Sequence, residues 1–264
     1  MKAQHKYQFY ASLLDAFQSY LDSAQTWNKF WGNSDDPKKT EEEYEKECFQ
    51  SLIDKINRVP VKWEDSEKMD AGTSFNEIVD CIISGKKSDK MEIEKIPSLD
   101  DDSIITDLRA KYNDRIFIFP LPICLSFSRY FKGAISQVYC EGTLPTKYGD
   151  VLLYGYIDEL MADKVHDIKT TGSYEAWKYR KNWQHRVYPY CLAQAGNTIS
   201  GFEYNILEIK SGRYDIHTEF YDFNYERAQG ELIAVCEQFV EFLEANRKSI
   251  TDEKIFNNLT NNTL

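Results

Sequence analysis

Residues 151–192 read VLLYGYIDELMADKVHDIKTTGSYEAWKYRKNWQHRVYPYCL. Strand side chains alternate faces with period 2. Over Val151 to Leu160 one face carries Leu152, Tyr154, Tyr156, Asp158 and Leu160, and the other Val151, Leu153, Gly155, Ile157 and Glu159. Both faces are mostly apolar, as in a central strand covered on both sides, so the carboxylate of Asp158 calls for a partner. Met161 to Lys164 is short enough for a hairpin turn, and Val165 to Lys169 returns as a second strand. Asp167 and Lys169 share the face of Val165, while His166 and Ile168 point the other way. A register that puts Asp158 and Asp167 on one face brings two carboxylates and an ammonium together.

Two carboxylates supply hard oxygen ligands for Mg²⁺ or Mn²⁺, which keep several waters and take up phosphate oxygens. Such an ion acidifies a bound water and stabilises charge on an attacked phosphate. Lys169 would orient or deprotonate that water and neutralise developing charge. For an isolated D-x-K triplet the alternative is an ordinary salt bridge between Asp167 and Lys169 on a hairpin. The segment that follows reads as a helix capped by Ser173, reaching Ala195 and kinked at Pro189, with Gln184 and Tyr188 on one face.

Taken together, Gly155-x-x-Asp158, Asp167-x-Lys169 and Gln184-x-x-x-Tyr188 resemble the motif series of the PD-(D/E)XK nuclease superfamily. The resemblance is to its RecB-type branch of phage exonucleases and helicase-linked nuclease domains, in which an apolar residue, here Ile157, commonly replaces the proline. It implies a restriction-endonuclease-like αβββαβ core, an α/β fold with a mixed sheet flanked by helices. It implies that Asp158, Asp167 and the carbonyl of Ile168 hold Mg²⁺ or Mn²⁺, that Lys169 is catalytic, and that Gln184 and Tyr188 support the site. It also implies an acidic residue on a helix upstream. Asp70 to Gly85 fits, with an apolar stripe of Phe75, Ile78, Val79, Ile82 and Ile83, a stop at Gly85, and Glu77 matching the superfamily's catalytic, metal-binding glutamate. Many RecB-type members carry a metal-binding histidine in a G-T-x-x-H pattern; here Gly72-Thr73-Ser74-Phe75-Asn76 puts an amide in its place. Some relatives hold an iron-sulfur cluster with cysteines gathered near the C-terminus. Of Cys48, Cys81, Cys124, Cys140, Cys191 and Cys236 only the last lies there, so no iron-sulfur cluster is expected. The partners implied are DNA and, as in relatives, a helicase or a single-strand annealing protein. An endonuclease, an RNA-acting nuclease and a non-catalytic binding member remain the alternatives on the same scaffold.

A chain of 264 residues is long enough for a substantial core. One domain is expected, with its core over about 70–210, helical decoration over 1–69 and a final helix over 225–247. The formal net charge of -11 argues against non-specific coating of nucleic acid by a global field. Locally the balance differs: Lys164, Lys169, Lys178, Arg180, Lys181 and Arg186 outnumber Asp167 and Glu175, with Trp177, Tyr179 and Trp183 interleaved. Such a segment suits a phosphate backbone, with Lys178, Arg180, Lys181, Trp183 and Arg186 as the contacts; a solvated helix with packed aromatics is the alternative. No apolar leader and no membrane-length run is visible, so a cytoplasmic, reducing setting is expected, with Cys81, Cys191 and Cys236 as small core residues.

Elsewhere, the apolar spacing predicts one amphipathic helix over Tyr7 to Trp31, and Thr40 with Glu43 a capping box opening a helix to about Arg58. The stretch from Gly85 to Ser103 reads as a loop, 103–112 and 121–131 as helices, 134–144 as a strand, and 147–150 as a turn. Ile199 to Lys210 and Tyr214 to Phe220 read as a hairpin turning at Ser211-Gly212. The C-terminal NNLTNNTL holds N-x-T triplets, which a cytosolic protein would not glycosylate.

Overall fold

The structure is a computed structural model and describes residues 5–256; the NNLTNNTL tail lies outside them. A mixed sheet of parallel and antiparallel strands is flanked by helices on both faces. Its central strand is β6 (Val151–Met161), antiparallel to β5 (Ile135–Leu144) along one edge. The other edge is shared. β1 (Tyr7–Tyr10) runs parallel to Val151–Tyr154, and β7 (Lys164–Thr171) pairs antiparallel with Glu159–Met161. β8 (Gly201–Lys210) continues the sheet parallel to β7, and β9 (Arg213–Asp222) closes it.

Alternation along β7 and β8 divides the core. Val165, Phe202, Tyr204 and Ile206 face one layer, formed by α1 (Ala11–Leu21), α3 (Glu41–Ile56), α6 (Gln184–Gln194) and α7 (Tyr225–Ala245). Ile168 and Leu207 face the other, formed by α4 (Glu67–Ser84), α5 (Leu121–Tyr130) and part of a small sheet. In chain order α4, β5, β6, β7, α6 and β8 reproduce the expected αβββαβ series, with a three-stranded meander and α5 between α4 and β5.

Several local expectations are corrected. Tyr7 to Trp31 is not one helix: Tyr7 and Phe9 alternate inward as β1, α1 follows, and α2 (Ser23–Trp31) begins after a break at Asp22. Over four residues an apolar pattern of period 2 cannot be told from one of period 3.6, and pairing with β6 decides it. The loop expected before Ser103 contains β2 (Glu92–Pro97), and the expected helix over 103–112 is β3 (Ile105–Tyr112). β3 turns through Asn113 and Asp114, with φ of 49° and 59°, into β4 (Arg115–Pro120). Two consecutive positive-φ residues of this type are a hairpin signal. β2 looked polar because it is a sheet edge whose charges pair across the ladder, Glu92 with Lys111 and Glu94 with Arg109. The helix expected from Ser173 starts only at Gln184, after a run of turns. The two faces of β6 are also unequal: Val151, Leu153 and Ile157 are fully buried, whereas Tyr156 is 61% exposed.

Other readings stand. Thr40 and Glu43 make both bonds of the capping box, α4 stops at Gly85 in left-handed geometry (φ 66°), and Ser211-Gly212 turn β8 into β9. Cys191 and Cys236 are buried, while Cys81 is half-buried with its thiol 3.7 Å from Glu77 Oε1. No helix among the described residues is long and apolar enough to cross a membrane.

Candidate active site

β1 leaves the edge of β6 at Tyr154 and β7 joins it at Glu159, so Gly155 to Asp158 front a gap between two strands. The antiparallel ladder to β5 also passes over Asp158, opposite Gln137, whose φ is 55°. The carboxylate of Asp158 takes over the missing ladder bond: Oδ2 accepts the backbone N–H of Ile168 at 2.9 Å. The N–H and C=O of one strand residue point to the same side, so the carbonyl of Ile168 turns into the same gap.

Asp167 lies beside Asp158, 2% exposed. Its Oδ1 accepts from Gln184 Nε2 at 2.5 Å, and its Oδ2 is 2.7 Å from Lys169 Nζ. Gln184 also reaches the Tyr188 hydroxyl at 3.5 Å, one turn along α6. The phenol end of Tyr188 packs against Gly155, where a β-carbon would meet it at 2.6 Å. Only glycine at 155 lets α6 approach closely enough for Gln184 to touch Asp167. The structure thus brings Asp158, Asp167, Ile168, Lys169, Gln184 and Tyr188 together.

Glu77 is placed otherwise. On α4 it is Asn76 whose Nδ2 donates to Asp158 Oδ2, at 3.3 Å. Successive helical residues are about 100° apart, so with Asn76 on Asp158, Glu77 turns aside into an ion pair with Lys90 at 2.7 Å. One turn beyond Asn76, Asp80 meets Glu159 behind the site, and Ser136 Oγ donates to both Glu159 oxygens at 3.0 and 2.9 Å. Burial and the neighbouring Asp80 push Glu159 up to about 8, and Asp80 is raised by burial too.

Sequence reasoning missed Asp15. From α1 its Oδ1 accepts the backbone N–H of Trp183 at 2.5 Å, at the first turn of α6. Burial raises it to about 6, against the pull of that amide and of Lys169. A contact between residues so far apart in sequence leaves no local pattern, and a lone Asp in an amphipathic helix reads as solvated.

The electrostatics are those of crowded carboxylates around one ammonium. Burial and then Asp167 push Asp158 up to about 7, with Lys169 and the Ile168 amide pulling the other way. Burial works to lower Lys169, but Asp167 and Asp158 outweigh it and hold the group above its ordinary value. Held above its ordinary value, Lys169 suits charge neutralisation beside the two carboxylates. Burial keeps the Tyr188 phenol protonated.

The donor set fits a hard divalent cation. Asn76 Oδ1 is a buried oxygen with no hydrogen-bond donor, and the buried Asp167 Oδ2 meets only the Lys169 ammonium, at 2.7 Å. A cation would satisfy both, together with Asp158 and the Ile168 carbonyl. Among the described residues no group of three His, Cys, Asp or Glu could hold a metal ion, so an ion here would draw on two carboxylates plus neutral oxygens.

The basic segment splits four ways. Trp183 is core, 8% exposed, beneath the Arg186 guanidinium at 4.9 Å. Lys181 pairs with Asp22 at 2.7 Å, and Arg186 pairs with Glu231. Arg180 and Arg186 face a cavity against β9 and α7. Lys178 instead borders a cleft of about 770 Å³ at the end of β7, walled by Thr171, Gly172, Phe117 of β4 and Lys68 of α4.

No protein-family model and no curated protein matches the chain. Among solved structures it is similar to one described as the crystal structure of SSO0001, at 13% identity and a TM-score of 0.33, over 46% of this chain. The chain spans 56% of the length of that protein, and a likeness at this level carries no argument.

Proposed function

We propose that the protein is a Mg²⁺- or Mn²⁺-dependent nuclease that hydrolyses phosphodiester bonds in DNA, an exonuclease of phage-type or recombination and repair processing. The observation that carries the reading is the convergence of Asp158, Asp167, Lys169 and Gln184 at a break in the sheet, with the buried Asn76 oxygen left without a donor. A divalent ion bound there by Asp158, Asp167 and the Ile168 carbonyl would supply an acidified water and polarise a phosphate oxygen. The remaining work belongs to the chain's own groups. The Lys169 ammonium offsets charge that develops on the phosphate. Gln184 fixes the Asp167 carboxylate without adding charge, and Tyr188 braces Gln184. The cleft lined by Thr170 and Lys178, at the end of the strand that carries Asp167 and Lys169, is where we place the path of a nucleic-acid strand. Free cysteines suit a reducing, cytoplasmic setting, and a helicase or single-strand annealing protein is the partner such an enzyme would work beside.

End-labelled linear DNA and closed circular DNA, incubated with and without Mg²⁺ or Mn²⁺, test this directly. Metal-dependent loss of the linear substrate with the circle intact is expected. Cutting of the circle would make the enzyme an endonuclease, and cleavage in excess chelator would remove the metal from the reading. Asp167→Asn and Lys169→Ala should each lower cleavage by orders of magnitude; parent-like cleavage by either would displace the site.

A further inference from the structure

β9 is an outer strand of the main sheet, and among the described residues it pairs only with β8. An unpaired strand edge is a template for another chain, and proteins blunt such edges with bulges, proline, lysine, short strands or cover. The other outer strands here carry these devices. On β5, Gln194 accepts the Thr143 N–H and donates to the Thr143 carbonyl, each at 2.7 Å, and the ladder skips Gln137. β1 spans four residues, β2 shifts register at Pro97, and β4 is six residues long and ends in Pro120. β9 reads RYDIHTEFYD, with neither proline nor lysine, and its ladder to β8 runs without a break from Arg213 to Asp222.

That ladder fixes which backbone groups face outward. The Phe223 N–H donates to the Ser200 carbonyl at 3.1 Å, so by antiparallel alternation the odd-numbered residues bond β8, and Tyr214, Ile216, Thr218, Phe220 and Asp222 turn their N–H and C=O away from it. Among the described residues only the Asp222 carbonyl is met, by Arg227 Nη2 at 3.0 Å. Along the same edge Ile216 and Phe220 are 44% and 39% exposed. On the sheet face that carries α6, Asp215 is exposed; so is Arg180, which lies against residues 220–222. Neither charge has a side-chain partner among the described residues.

We infer that two copies of the chain pair antiparallel through β9, with Thr218 on the two-fold axis, joining their sheets into one. In this register Ile216 of each copy lies opposite Phe220 of the other, so the exposed apolar side chains cover one another. Asp215 of the second copy comes opposite Tyr221, beside Arg180, and supplies the charge that guanidinium lacks. His217 comes opposite Glu219, whose buried Oε1 has no donor. Other registers fail. A slip of one residue opposes side chains from different faces, and slips of two set Asp215 against Glu219 or Glu219 against itself, where like charges repel. Longer slips shorten the ladder. β9 is separated from β7 by β8, so the pairing leaves the carboxylate gap open and the inference does not depend on the nuclease reading.

Sedimentation velocity of the full chain over a range of concentrations tests the pairing, and a species of twice the chain mass should build up as concentration rises. Thr218→Pro removes an outward N–H at the axis and no bond to β8, so it keeps the fold and leaves a monomer. Its melting temperature, compared with the parent's at a dilution where the parent is also monomeric, verifies the fold. Arg180→Asp and Asp215→Arg, both at exposed positions, carry the test if the proline variant unfolds. Each should weaken association about tenfold by opposing like charges at two symmetric places, and the two reversals combined should return it to about the parent's strength. The inference fails if the parent is monomeric at about 100 µM, if a folded Thr218→Pro chain still dimerises, or if the double reversal associates no more tightly than either single one.

Discussion

Gly155 is where the least side chain has the most effect. Its missing β-carbon admits the Tyr188 ring, and with it the whole of α6. Gly155→Ala should cost about 1–3 kcal/mol through overpacking, read as a drop in melting temperature, and should reduce cleavage further by moving Gln184. Trimming the ring in Gly155→Ala with Tyr188→Leu should restore part of the melting temperature; no recovery would mean that the alanine clashes with something else. A neighbouring residue ties stability to pH. Glu159 is fully buried and raised from 4.5 to about 8. A carboxyl raised in the folded state contributes its full stability below the unfolded value and loses it as pH rises through the folded one. In metal-free buffer the parent should therefore weaken between about pH 5 and 8. Glu159→Gln, which keeps the amide in contact with Ser136 and Asp80, should flatten that slope and melt higher than the parent at pH 8, by on the order of a few kcal/mol. A variant whose melting temperature follows the parent across this window would place the strain on other carboxyls, Asp158 first.

At the scale of elements, α6 is the part that aligns chemistry with packing. Asp15 of α1 holds its first turn, Tyr188 seats it on β6, and Gln184 projects from its start to Asp167. Gln184→Ala should lower metal-dependent cleavage far more than melting temperature, since the bonds it removes are those to Asp167 and Tyr188. The reverse order would mark it as a packing residue. The sequence showed β6, β7 and α6 because a carboxylate in an apolar alternation, a turn and a glutamine and tyrosine one turn apart are all local patterns. It did not show β3, because Leu108 and Tyr112 in ITDLRAKY sit four apart and mimic one helical face while the strand's partner lies beyond the turn. Nor did it show that Asn76, not Glu77, meets Asp158: that is a rotation of about 100° on a helix whose setting depends on the inserted meander and on Lys90.

For the whole molecule, charge sets the terms on which a polyanion is met. With a net charge of -11, long-range attraction is absent and any grip on DNA comes from local cations. The structure puts Lys68 and Lys178, with Glu67, on the cleft that adjoins the end of β7, sets the exposed Lys181 beside Asp22, and buries Trp183. Lys68→Ala with Lys178→Ala should weaken DNA binding and make log affinity fall less steeply with log salt, by up to about one to two in slope. An unchanged slope would return both lysines to the solvated surface.

The shared edge of β6 also bears on how the molecule comes to exist. Tyr7 pairs with Val151, which closes a loop of roughly 140 residues. During synthesis β1 must wait for more than half of the chain before it has a partner. Long-range parallel pairing of this kind is slow, because its entropy is lost before its contacts form. The gap that β1 and β7 frame, and therefore the chemistry housed in it, is among the last features to be completed. A nascent chain halted before β7 lacks Asp167 and Lys169, and the gap is complete only once β1, β6 and β7 all stand in the sheet.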